Sequence, residues 1–131
     1  MKETEIIEHL GQAIAAAVPT LGVVWENQNA LPKRPYAFVQ FVPVAKTGLV
    51  LDLPDSVNEG YALVTIVSEI GEFATPALAQ CELIVDALPK GHKIDTPNGC
   101  IYIPVPPVIL PAFRDGPDWR TPVRVNYKGA Q

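Results

Sequence analysis

Trp25-Glu26-Asn27-Gln28-Asn29-Ala30-Leu31-Pro32-Lys33-Arg34-Pro35-Tyr36-Ala37-Phe38-Val39-Gln40-Phe41 is the stretch that decides the fold. Val23 to Glu26 reads as a short strand, stopped by Asn27-Gln28-Asn29. A polar loop with prolines at 32 and 35 follows. Residues 36–44 then form the clearest strand of the chain, with Tyr36, Phe38, Phe41, Val42 and Val44 as β-formers. Apolar residues on both of its faces predict a strand covered on both sides, by the rest of the chain or by a subunit. Pro43 cannot donate to a ladder and marks an edge or a bulge.

Working outward, residues 3–18 carry Ile6, Ile7, Leu10, Ile14 and Ala17 at helical spacing, with Glu5, Glu8 and Gln12 opposite. Pro19 ends that helix. Tyr61–Ile70 is a second long strand, closed by Gly71. Thr75 reads as the N-cap of a second helix, with Pro76 in its first turn. That helix runs to Leu88 with Leu78, Cys81, Ile84, Val85 and Leu88 on one stripe, and Pro89 and Gly91 follow it. Half of the fourteen prolines fall between Pro97 and Pro122, so that third favours extended chain over helix. Cys100–Ile103 is a short strand, 104–118 an extended segment, and Arg114-Asp115-Gly116-Pro117-Asp118 a turn signal. Thr121–Tyr127 closes the set, with Val123, Val125 and Tyr127 on one face and Arg124 and Asn126 on the other. The order predicts one domain over 1–131 in the α+β class. Its architecture is a two-layer sandwich: a mixed, mostly antiparallel sheet with two helices packed on one face.

With 48% hydrophobic and 18% charged residues, the chain is not disordered, and the low charge implies apolar surface covered by a partner. A net charge of −4 disfavours a broad grip on nucleic-acid phosphates, and Lys33-Arg34 is the only adjacent basic pair. No run approaches the ~20 apolar residues of a membrane span, so no membrane partner is expected. The N-terminus does not resemble a secretory signal. Two widely spaced cysteines, Cys81 and Cys100, fit a reduced intracellular protein and are read as structural.

Catalytic patterns fail one by one. His9 and His92 with the two cysteines lack the close pairs of a metal site, so no metal and no cofactor is expected. Ser56 and Ser68 sit in no nucleophile elbow, and the glycines form no phosphate loop. The pairs Asp52/Asp55 and Asp115/Asp118 lie in turn contexts and are read as turn initiators. Glu26-Asn27 is either a strand end or a corner that meets a neighbouring subunit, the strand end being favoured. The protein is therefore not expected to be an enzyme.

The strongest signals are two apolar loops, 46–58 with Leu49, Val50, Leu51 and Leu53, and 104–118 with Val108, Ile109, Leu110 and Phe113. A monomer seldom exposes apolar surface on this scale. The loops either fold back on the sheet or act as interface arms, and the second is favoured because two helices already cover one sheet face. The first also has the makings of a protruding hairpin that prolongs its flanking strands. Trp119 and Arg120 are of types common at interface anchors, or form a local lid over the sheet edge.

The helix near the start, the strand ending in Glu26-Asn27, the proline-flanked loop to Tyr36, the strand from Tyr61, the glycine before the second helix and the final Pro122-Val-Arg-Val-Asn-Tyr127 together resemble the small tail terminator and tail-completion proteins of long-tailed phages. The family often has an aromatic residue after its Asn, where this chain has Ala30 and Leu31, and 104–117 is unusually proline-rich. The resemblance implies an α+β sandwich that assembles as a homohexameric ring on the tail tube. Such a ring ends tube polymerisation and offers the head-attachment surface. The implied partners are copies of itself, the tail tube protein and the head–tail connector. DNA would pass through the lumen without specific binding. The implied location is the virion tail, after assembly in the bacterial cytoplasm. The rival readings are another head–tail connector or minor tail component, or a small dimeric ligand-binding or regulatory domain.

Overall fold

The computed structural model describes residues 2–26, 28, 32–48, 56–71 and 73–130. Helix α1 is Glu3–Ala17 and α2 is Thr75–Ala87. The strands are β1 Gly22–Trp25, β2 Tyr36–Gly48, β3 Ser56–Glu69, β4 Lys93–Thr96, β5 Gly99–Tyr102, β6 Val108–Ile109, β7 Phe113–Asp115 and β8 Asp118–Ala130. The sheet order is β1-β2-β3-β8-β5-β4, with β6 and β7 also on β8. Every pairing is antiparallel except β1 with β2. This is the expected mixed, mostly antiparallel α+β fold, curled into a half-barrel.

The opening stretch explains the single parallel pair. Val23 lies opposite Ala37 and Trp25 opposite Val39, both strands pointing the same way. Residues 26–35 must therefore carry the chain back along β1 before β2 starts, which is why this connection is long. Where β1 ends, the Phe41 N–H donates to Glu26 Oε1 at 2.6 Å, so a side chain continues the ladder. That favours the strand-end reading of Glu26; Asn27 lies outside the described residues.

Both helices cover one sheet face. Ile6, Leu10, Ile14 and Val18 from α1 and Ala77, Cys81, Ile84 and Leu88 from α2 meet Ala37, Val39, Ala62, Val64, Ile66, Val123, Val125 and Tyr127 in one core. α1 comes close because Gly11 has no side chain: a Cβ there would stand 3.1 Å from the Trp25 ring. Two stripe residues turn outward instead, Ile7 at 41% and Leu78 at 40% exposure, since the buried arc of each helix is narrower than its apolar stripe. Thr75 is not the cap of α2. Ala74 occupies that position with helical φ/ψ, and Thr75 and Pro76 lie inside the first turn.

β8 is the centre of the sheet. One edge pairs with β3 from Asp118↔Glu69 to Gly129↔Asn58. The other pairs in succession with β7, β6 and β5. The extended 104–118 segment thus lies along the sheet, and β8 runs three residues beyond each end expected from the sequence. On the face without helices, Val24, Tyr36 and Val67 form a small second cluster with Phe38.

Candidate functional site

The site is a set of surfaces, beginning with the β2–β3 hairpin. Pro43 has no N–H, and the register shifts between Pro43 and Ala45. Pairing then resumes through Lys46↔Asn58, Thr47↔Val57 and Gly48↔Ser56, so the hairpin reaches beyond the Asn58↔Gly129 pair. Much of the 46–58 loop is therefore strand. Leu49, Val50, Leu51 and Leu53 lie outside the described residues.

The second loop divides by face. Ile109 pairs with Val123 and packs on the main core, while Val108, opposite Arg124, is 49% exposed. The Leu110 N–H donates to Pro122 O at 2.8 Å and its side chain is half-buried. Phe113 is 48% exposed on β7. Of the four candidate residues on this loop, Val108 and Phe113 remain presented to solvent, as does the neighbouring Val105.

Trp119 and Arg120 sit at the β7–β8 turn, where Gly116 has φ +59°, a left-handed conformation suited to glycine. The turn sets Asp115 directly opposite Asp118, which repel. Two arginines offset this. Arg34 Nη1 donates to Asp118 Oδ1 at 2.8 Å and to Pro117 O at 3.0 Å, with Glu69 at 3.7 Å. Arg120 lies 3.1 Å from Asp115 and 3.6 Å from Asp118, the Nε contact being a charge contact poorly aligned for hydrogen bonding. Arg120 is thus engaged within its own chain, and Trp119 is half-buried with its carbonyl accepting from Ser68 Oγ. The adjacent pair Lys33-Arg34 is one local pointer to this network.

The face without helices carries a shallow cavity of about 390 Å³ at the hairpin base, lined by Val44, Glu59, Val105, Arg124 and Lys128 among others. Val44 is 65% and Val105 44% exposed. The Arg124 guanidinium stacks over Tyr61, 4.1 Å from the ring centroid, and its Nε donates to Asn126 Oδ1 at 3.3 Å. Among the described residues Lys128 pairs with Glu59 at 3.4 Å, whereas no carboxylate pairs with Arg124.

Where α1 meets the sheet, Glu3 accepts from Tyr127 Oη and from Asn58 Nδ2, both at 3.1 Å. Burial, then the Glu3 charge beside it, pushes the Tyr127 phenol well above its usual range. Burial likewise raises the Cys81 thiol to about 11, so it stays protonated and is a poor nucleophile. His9 bonds the carbonyl of Glu5, one turn earlier on α1. Among the described residues no group of three metal-ligating side chains converges, and no helix is long and apolar enough to cross a membrane.

Comparison with known proteins adds the following. The profile described as phage tail terminator protein matches residues 5–127. No curated protein matches the sequence. A solved chain known only by a serial designation superposes with a TM-score of 0.76 at 17% identity, covering 98% of this chain and 92% of that one. A chain from the virion of a native gene transfer agent particle superposes with a TM-score of 0.64 at 19% identity, covering 97% and 95%. At such identities the structural likeness speaks for the fold.

Proposed function

The chain belongs to the phage tail terminator family, and from that premise we propose that it caps the tail tube as a ring whose subunits meet through their own apolar loops, and so ends tube growth and offers the head-attachment surface. The observation that carries this reading is the family match over nearly the whole chain. A structural tail protein needs no catalytic centre, and the reading assigns it none.

A ring of identical subunits needs two different patches that meet head to tail. The hairpin end with Leu49, Val50, Leu51 and Leu53 is one; Val108 and Phe113, with Ile109, Leu110, Trp119 and Arg120 supporting them from behind, form the other. In this reading the ring is a hexamer, its two ends meet the tube protein and the head–tail connector, and DNA passes through the lumen without specific contacts. It is assembled in the bacterial cytoplasm. The net charge of −4 suits such a lumen, because few phosphate contacts would form.

The test is negative-stain electron microscopy of the purified protein, alone and mixed with tail tubes from the same genome. Rings, or tubes newly capped at one end, are expected. Monomers or dimers that ignore the tubes would overturn the reading and favour a small binding module.

A further inference from the structure

We infer that the outer face of α2 in one copy of this chain docks on the helix-free sheet face of the next, setting Glu82 and Asp86 against Arg124. The inference rests on the self-assembly proposed above and adds to it a contact made by a helix.

α2 carries a charge arrangement that calls for an outside cation. Glu82 and Asp86 lie one turn apart on its exposed side, and like charges at that spacing repel. Asp86 also stands in the last turn, at the negative end of the helix dipole. Thr75–Ala87 holds no basic residue, and among the described residues no ion pair reaches either carboxylate. Successive helical residues turn by about 100°, which places the two carboxylates between Leu78 and Leu83. Both leucines are exposed. The helix thus presents an acidic ridge with an apolar residue on each flank.

The sheet face offers the complement. Arg124 is exposed in the cavity at the hairpin base and held in place by Tyr61 and Asn126. None of the described carboxylates pairs with it, whereas Lys128, the other cation of that cavity, is paired with Glu59. Val44 and Val105 supply exposed apolar surface in the same cavity. Leucines seated on these valines exclude water, and shielding from water strengthens an arginine–carboxylate contact.

The two surfaces of one chain cannot meet. Ala77, Cys81, Ile84 and Leu88 of α2 pack in the core with Val123 and Val125. Arg124 stands between those two valines on β8, so its side chain points to the opposite face of the sheet. The outer side of α2 points away from the sheet altogether. A contact between the two therefore joins different patches of two copies. Each such pair keeps one patch of each kind for the next copy, which is the head-to-tail geometry of a ring.

The experiment compares wild type, Arg124→Glu, the α2 variant Glu82→Lys with Asp86→Lys, all three changes in one chain, and an equimolar mixture of the first two variants. Sedimentation velocity, with and without tail tubes, gives the concentration of half-assembly, and circular dichroism checks the fold. Arg124→Glu and the α2 variant should each need about tenfold more protein to assemble, since like charges then face each other in a shielded site. The mixture should recover to within about threefold, because alternating copies restore opposite charges at every contact. Variants that assemble like wild type would overturn the inference. Recovery with all three changes in one chain but not in the mixture would also overturn it, by placing the contact within one chain. If Arg124→Glu melts early, Arg124→Gln takes its place: it too should weaken assembly, and adding it to the α2 variant should cost nothing further, because the contact is already lost. Further loss on that addition would overturn the inference. Wild type that forms no rings and caps no tubes removes the ring reading and this contact with it; wild type that assembles beside unaffected variants removes only this contact.

Discussion

Gly60→Ala should destabilise the folded subunit by about 3 kcal/mol, although it adds one methyl group to a strand. Gly60 lies on β3 between Pro43 and Tyr127. A Cβ there would stand 2.5 Å from Tyr127 Oη, 2.6 Å from Val42 O and 2.8 Å from Tyr127 Cζ. Real contacts of this kind are ordinary only beyond 3.4 Å, so the neighbours must retreat by most of an ångström. Val42 O belongs to the β2 backbone, and Tyr127 is 1% exposed and bonded to Glu3. Overpacking costs about 1–3 kcal/mol. Losing the bond to the Glu3 carboxylate adds about 1.5–3 kcal/mol. The stiffer unfolded chain returns about 0.4–1 kcal/mol. For a domain of this size the net change lowers Tm by about 10 °C. Urea unfolding followed by tryptophan fluorescence, at a concentration where the subunit is monomeric, measures it. Tyr127→Phe removes the nearest atom, so Gly60→Ala should cost about 1 kcal/mol less in that background. A Gly60→Ala protein within about 0.5 kcal/mol of wild type, or a cycle without coupling, would refute the reasoning.

Other expectations concern charge and the apolar loops. The Cys81 thiol, raised by burial from 9.0 to about 11, makes stability whole below pH 9. The unfolded chain then ionises first, so about 2 kcal/mol is lost by pH 11, and the raised Tyr127 phenol acts in the same direction; alkaline urea titrations read both. At pH 8 an alkylating reagent should modify half-buried Cys100 well before Cys81, which mass spectrometry of the digested protein resolves. Arg34→Ala should cost about 1 kcal/mol at low salt and less at high salt, because its partners are partly exposed; equal loss at both ionic strengths would count against the charge clamp. Replacing Leu49 and Leu51 with Asp should leave cooperative melting intact and abolish assembly. Loss of melting would mean that these leucines belong to the core.

The sequence revealed those elements whose signals are local. α1, α2, β2 and β3 follow from periodicity, β-branched and aromatic runs, and prolines or glycines at their ends. The parallel pairing of β1 was hidden, because direction depends on where residues 26–35 deposit the chain. β4, reading Lys-Ile-Asp-Thr, has one large apolar residue, and β6 and β7 are two and three residues long within proline-rich sequence. They are strands because β5 and β8 lend them an edge, which no local pattern states. The candidate interface residues were legible as apolar excess but not by face: alternation on β6 turns Ile109 to the core and leaves Val108 outside. The ion pair of Arg34 with Asp118 and the bond of Tyr127 to Glu3 join residues 84 and 124 positions apart and leave no trace in local sequence.

The central place of β8 also governs when the subunit comes into being. During synthesis roughly nine-tenths of these 131 residues leave the ribosome before Asp118 does. Until then β3 has one bare edge, and β5, β6 and β7 have no sheet to join. Pairs such as Val64 with Val123 close long loops, which slows folding. Closure of the shared core thus waits for β8, which brings Val123, Val125 and Tyr127 to it.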